Sequence, residues 1–163
     1  MLAGPTAREG GKGMLSLKAL REVGFKRSAC WVLDDKGKPE VSHSLPTDPG
    51  IYLFVVGRKI HYVGKADRSL RRRVRRYVGT MRGSERPRKV HKGLDDNLRD
   101  GTRVDIYTFS PIDPRMHHWK GLPLDRLTGV EAGLIEKLNP IWNPFNSAGR
   151  AKRALLSLSV ENA

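Results

Sequence analysis

The chain has 163 residues, enough for one domain with a real core but not for two. Thirty-one Lys and Arg against seventeen Asp and Glu leave a formal charge of +14, which points to a polyanionic partner, with nucleic acid ahead of a membrane surface. No apolar run approaches the roughly 18 residues of a spanning helix, and a single cysteine, Cys30, leaves no internal disulfide. The first residues, MLAGPTAREGGKG, carry glycine and charge where a signal peptide needs an apolar stretch, so a cytoplasmic protein without membrane contact is expected. Cys30 lies among Ala29, Trp31 and Val32 and reads as a strand residue of the interior, not a nucleophile.

In chain order, residues 1–14 are Gly-rich and read as a disordered tail. SLKALREVG at 16–24 predicts a short helix closed by Gly24 in a left-handed C-terminal position. ACWVL followed by DDKGKP predicts a small strand and turn, so residues 15–48 form an N-terminal extension. Strands are expected at 50–56 and 60–66, then a helix from Ser69 to about Thr80, the basic loop MRGSERPRKVHK, a helical stretch near 91–99 and a strand at 102–109. SPIDPRMHHWKGLPLDR, at 110–126, reads as a loop long enough to be functional or disordered, and a helix near 129–139 ends the fold. This order predicts a mixed α/β (α+β) domain on a small antiparallel sheet over 49–146, followed by a basic C-terminal tail at 147–163.

Three constellations carry chemistry. In PGIYLFVVGRKIHYVGKA a tyrosine stands near a glycine in each strand. A two-residue Gly57-Arg58 turn would set Val56 opposite Lys59 and Tyr52 opposite Val63, on opposite faces. A three-residue loop would set Phe54 opposite Tyr62 and Tyr52 opposite Gly64, with both tyrosines on one face beside a glycine that admits a ligand. The tyrosines are either core residues or half of a phosphate site. In SLRRRVRRY, Leu70, Val74, Tyr77 and Val78 form an apolar stripe; Arg71 and Arg73 border it and Arg72 lies opposite. Arg71, Arg72, Arg75 and Arg76 read as a solvated basic face or as phosphate contacts, and Arg73 is placed to reach from the core edge into a cleft. In TGVEAGLIEKLNPIWN, Leu127, Val130, Leu134, Ile135 and Leu138 define an apolar face into which Glu131 projects. A carboxylate there is either a metal ligand or, with Thr128 as N-cap, half of a capping box. Asn143 after Pro140 is a turn residue by itself.

Taken together, these residues resemble the GIY-YIG nuclease family. Gly50-Ile51-Tyr52 is followed by Tyr62-Val63-Gly64, then by a helical arginine before Val74, then by Glu131 with Asn143 twelve residues on. YVGKA, RVRRY, VEAGLI and NPIWN are closest in wording to the UvrC-type N-terminal nuclease domain, and the resemblance covers roughly residues 49–144. The family arginine usually stands ten residues after the second tyrosine. Counting would select Arg72, whereas the RVRRY run and the helical phase select Arg73, eleven residues after Tyr62.

The resemblance implies a three-stranded antiparallel sheet flanked by helices and metal-dependent hydrolysis of DNA phosphodiesters. On that implication Tyr52 and Tyr62 line the phosphate site and one of them activates or positions water. Lys65 or a metal favours the ionised phenol, and Arg73 holds the scissile phosphate. Glu131 ligates a single Mg²⁺, with Mn²⁺ as a substitute, and Asn143 helps to fix the site. His91 is an accessory proton donor, and His117 and His118 belong to the loop surface or contact DNA. Arg71, Arg72, Arg75, Arg76, Arg82, Arg86, Arg88, Lys89 and Lys92, with Lys152 and Arg153, supply sequence-independent phosphate contacts. Two other functions fit the charge: a non-catalytic nucleic-acid-binding module on the same fold, and a small RNA-binding protein, although the latter lacks an aromatic stacking pattern.

Overall fold

The structure, a computed structural model, describes residues 15–78, 85–111 and 117–143. Helix α1 (Leu17–Glu22) starts at Ser16, whose hydroxyl accepts from the Ala19 amide, and closes at Gly24, whose φ of 114° suits only glycine. Strand β1 (Lys26–Leu33) turns on Asp34, whose carboxylate accepts from the amides of Lys36 and Lys38, and returns as β2 (Pro39–Val41). Then come β3 (Gly50–Val56), β4 (Lys59–Ala66), α2 (Leu70–Arg75), α3 (Glu85–Arg99), β5 (Val104–Phe109), a ribbon of β6 (His117–Trp119) and β7 (Leu122–Leu124), and α4 (Arg126–Leu138). None of the helices described is long and apolar enough to cross a membrane.

Five strands form one antiparallel sheet in the order β2-β1-β5-β3-β4, which corrects the expected three. Strand β1 pairs along the side of β5 that a three-stranded sheet would leave bare, an edge that proteins seldom expose. One face carries Ala29, Trp31, Tyr52, Phe54, Tyr62 and Ile106 beneath Leu70 and Val74 of α2 and Val90 and Leu94 of α3. The other carries Ile51, Leu53, Val55, Ile60 and Val63 beneath Leu20 of α1 and Leu127 and Leu134 of α4. Cover on both faces is why Ile51 to Val55 form an unbroken apolar run instead of alternating with polar residues.

The β3–β4 hairpin takes its turn from one expected register and its pairing from the other. Gly57, at φ 61°, opens a two-residue turn and Val56 faces Lys59. Val55 then faces Ile60 but Phe54 faces Tyr62, so His61 is an extra residue and Tyr52 comes opposite Gly64. That bulge places Ile60 and Tyr62 on opposite faces although they are two apart.

Other boundaries also move. Helix α3 begins at Glu85 within the segment read as a basic loop, because Pro87 lies in the first turn, where a missing N–H costs nothing. The 110–126 segment holds the β6–β7 ribbon, turned by Lys120 and Gly121 at φ 49° and 81°. Helix α4 starts at an Asp125 N-cap, three residues before Thr128, and ends at a left-handed Asn139 just before Pro140. Val78 and Val130, read as core-facing, are exposed. Thr80 and the tails at 1–14 and 147–163 lie outside the described residues.

Beyond α4, Pro140 to Asn143 strap the outer edge of β4. The Trp142 amide donates to the His61 carbonyl at 2.9 Å, while Asn143 accepts from the Val63 amide at 2.9 Å and donates to the Val63 carbonyl at 2.8 Å. The indole of Trp142 meets the His61 ring edge-on at 5.0 Å between centroids and fills the space above Gly93 of α3, where a β-carbon would strike it. Gly93→Ala is therefore expected to destabilise by about 1–3 kcal/mol through overpacking, although alanine is the better helix former. Gly133→Ala in α4, where a β-carbon meets nothing within 4 Å, is expected to stabilise by up to about 1 kcal/mol. Urea unfolding of both variants checks this; equal effects would mean that Trp142 does not seat on Gly93.

Candidate active site

Tyr52 of β3 and Tyr62 of β4 share the face covered by α2, and Tyr77, from the turn after α2, enters between their hydroxyls. Tyr52 and Tyr77 are hydrogen-bonded at 2.8 Å, and Tyr77 donates to Tyr62 at 2.9 Å. A phenol has one proton, so Tyr77 spends its own on Tyr62, Tyr52 is the donor to Tyr77, and the Tyr62 proton is left at the end of the chain. Burial pushes the Tyr52 phenol well above its ordinary pKa, and burial followed by the neighbouring Tyr77 raises that of Tyr62; Arg73 opposes the rise in both. Tyr52 and Tyr62 therefore stay protonated at neutral pH. Gly64 has its physical reason here: a β-carbon would collide with the Tyr52 ring and hydroxyl, so the space expected for a ligand belongs to the tyrosine. Tyr77 was legible only as part of the apolar stripe, although RVRRY places it one turn after Arg73.

Arg73 is half-buried and its Nε has no hydrogen-bond partner, whereas Arg72 is exposed. Burial works against the Arg73 charge, but Tyr52, Tyr77 and Tyr62 more than offset it and its pKa is raised. A cleft of ≈ 640 Å³ opens beside it, lined by Lys65, Arg72, Arg73, Arg76 and Glu131 among others. Lys65 Nζ lies 2.7 Å from Asp67 and 3.7 Å from Asp125. Its pKa is raised chiefly by the Asp67 hydrogen bond, with Asp125 and Glu131 adding to it. Lys65 thus faces carboxylates, and the cation bearing on the phenols is Arg73. Asp125 accepts from the Thr128 amide and hydroxyl, which hold its pKa below the usual range.

Glu131 is half-buried on α4, and with Asp125 as N-cap it is not the partner of a Thr128 capping box. Among the described residues no group of three or more His, Cys, Asp and Glu could cage a metal. The cleft holds two carboxylates, Asp67, which is paired with Lys65, and Glu131; so few protein ligands still suit Mg²⁺, which keeps waters and takes substrate phosphates as ligands. Asn143 has both amide atoms engaged on Val63, so it positions β4. His91 lies tilted against Tyr77, 6.2 Å between centroids, with Nε2 buried and unpartnered. Arg71 donates from Nε to the Leu45 carbonyl at 3.1 Å, Lys92 pairs with Asp96, and Arg75 and Lys89 are exposed. Arg82 lies outside the described residues, as do Lys152 and Arg153 and the side chains of Arg86, Arg88, His117 and His118.

The sheet and helices share their arrangement with a solved phage protein and part of their sequence with a curated relative. No family model matches the sequence. UvrABC system protein C of Natronomonas pharaonis is 29% identical over 131 residues, covering 70% of this chain and 22% of that protein, so the chain spans about a fifth of its relative. The solved structure of a mutant of bacteriophage T4 EndoII matches with a TM-score of 0.62 at 21% identity, over 77% of this chain and 96% of that one. Restriction endonuclease HPY188I in complex with product DNA gives a TM-score of 0.45 at 18% identity, over 93% and 83%, too low a likeness to support the fold.

Two outcomes follow for stability. Tyr77→Phe removes both bonds of the hydroxyl chain and strands two buried phenols, so it is expected to cost about 2–4 kcal/mol, more than Tyr62→Phe, as read by urea unfolding. Burial also lowers the pKa of His61 and His91 below 6.5, with Lys59 adding at His61 and Asp95 opposing at His91. The unfolded chain then binds more protons, so their contribution is present above about pH 6.5 and is lost as pH falls towards their folded-state values. Unfolding midpoints between pH 7.5 and 5.5 are expected to fall, and less steeply when both histidines are replaced.

Proposed function

We propose that the chain is a metal-dependent endonuclease that hydrolyses DNA phosphodiester bonds. The observation that carries this reading is one cleft lined by both Glu131 and Arg73, the latter held against a buried chain of three tyrosine hydroxyls. Arg73 holds the scissile phosphate and offsets the charge that grows on it. Tyr62, whose proton the chain leaves over, orients the attacking water, and Tyr77 and Tyr52 fix its hydroxyl. Glu131 would hold Mg²⁺, for which Mn²⁺ would substitute, and such an ion would supply Lewis-acid polarisation at the phosphate. Lys65 keeps the cleft positive next to Glu131, and Asn143 keeps the strand that carries Tyr62 in place.

Supercoiled, linear, branched and single-stranded DNA incubated with Mg²⁺, Mn²⁺ or EDTA tests this reading. Nicking is expected with either metal and none in EDTA. Glu131→Gln should lower the rate by about two orders of magnitude or more while DNA affinity and melting temperature hold or rise slightly, since a negative charge leaves a phosphate site. Arg73→Ala should abolish cleavage, and Arg72→Ala should mainly weaken binding. Near-normal nicking by Glu131→Gln would remove Glu131 from the site, and DNA binding without nicking by wild type would leave a binding module.

A further inference from the structure

Helix α2 divides its arginines between two clefts. Arg72, Arg73 and Arg76 line the cleft described above, whereas Arg71 and Arg75, one turn apart, line a second of ≈ 510 Å³ on the other side. Among the described residues none of these five arginines makes an ion pair. The far wall of the second cleft is the segment after β2, which includes Ser42, His43 and Ser44. There the hydrogen bonds fix a tautomer. Ser42 Oγ accepts from the Cys30 amide at 3.0 Å and from the Cys30 thiol at 3.4 Å, so its own proton goes to His43 Nδ1, 2.8 Å away. Both Ser42 lone pairs are then used, and the exposed His43 ring carries its proton on Nε2, as a donor. Arg71 ties the walls together through the Leu45 carbonyl. Glu40, on the same wall, is the one carboxylate of the lining and disfavours an anion at its end.

We propose that this second cleft, between α2 and residues 42–45, is a subsite for the phosphodiester backbone of duplex DNA away from the scissile phosphate, with Arg75 and His43 as donors. The proposal rests on the DNA reading of the first cleft. A helix with its side chains is about 10–12 Å across, and the phosphates of one strand advance about 3.4 Å per nucleotide along the duplex axis. Clefts on the two sides of one helix, if displaced along the duplex axis, would meet different phosphates of one strand.

The test is fluorescence anisotropy of a labelled 20-base-pair duplex in EDTA over a series of salt concentrations, so that cleavage does not enter. His43→Ala and Arg75→Ala are each expected to weaken binding about five- to tenfold at low salt. Arg75→Ala should also reduce the slope of log affinity against log salt by about 0.9. Ser42→Ala should reproduce part of the His43→Ala loss, and Glu40→Gln should tighten binding. Melting temperatures should stay at the wild-type value, because His43 and Arg75 are exposed. Wild-type affinity and slope in both His43→Ala and Arg75→Ala would overturn the subsite and leave the first cleft standing. A wild type that does not bind duplex at all would remove the DNA reading and the subsite with it.

Discussion

The arrangement depends on one extra residue in β4. Without the bulge at His61, Tyr62 would follow the two-residue period of the strand and share the face of Ile60, and Tyr77 would have no hydroxyl to meet there. The bulge is held from outside. Its carbonyl accepts from the Trp142 amide, and the next hydrogen-bonding position, Val63, is clamped from both sides by Asn143. Three hydrogen bonds, each of about 1 kcal/mol net, thus fix the irregularity that a regular ladder would remove.

With Tyr62 turned inward, the core acquires a polar thread, and its satisfaction is strict. Each hydroxyl in the chain has a partner, whereas Arg73 Nε has none and lies at the boundary between the thread and the cleft. Buried phenols this reluctant to ionise keep the region neutral, so the local charge comes from Arg73 and Lys65 on one side and Glu131 on the other. The position of Glu131 is in turn set from β4. Lys65 pairs with Asp125, and Asp125 caps α4, the helix that carries Glu131 six residues on, about 9 Å along its axis. Asp125 also places a negative charge at the positive end of that helix.

What the sequence made legible was local. The 3.6-residue period sets Arg73 at the border of the apolar stripe and Arg72 opposite it, in agreement with their burial, and Gly57 marks the hairpin turn. The bulge left no such mark, since an extra histidine in a strand has no compositional signature, and so each register anticipated only half of the pairing. The pairing of β1 with β5 was hidden for a different reason: it joins residues more than seventy apart, and nothing near Lys26 announces it. Asp125 was overlooked because Thr128-x-x-Glu131 spells a competing cap, although aspartate is the stronger N-cap. Tyr77 was counted for its ring and not for its hydroxyl.

The N-terminal extension shows how a segment without chemistry of its own acquires a role. Helix α2 has six residues, far too few to be stable alone, and five of the seven from Leu70 to Arg76 are arginines that repel one another. Its first two amides are satisfied by the extension: Leu70 donates to the Asp48 carbonyl and Arg71 to the Pro46 carbonyl, both at 2.9 Å. Leu70 and Val74 pin the other side to the sheet. Strand β1, by pairing with β5, and β2, by pairing with β1, bring residues 42–48 to that position. The outer strands therefore hold the arginine helix against its own charge, and the same segment forms the wall facing Arg71 and Arg75. Removing the repulsion by neutralising the arginines would ease the helix but leave the first cleft with only Lys65 and Arg68 and the second without Arg71 and Arg75, so the fold supplies the restraint that the charge density requires.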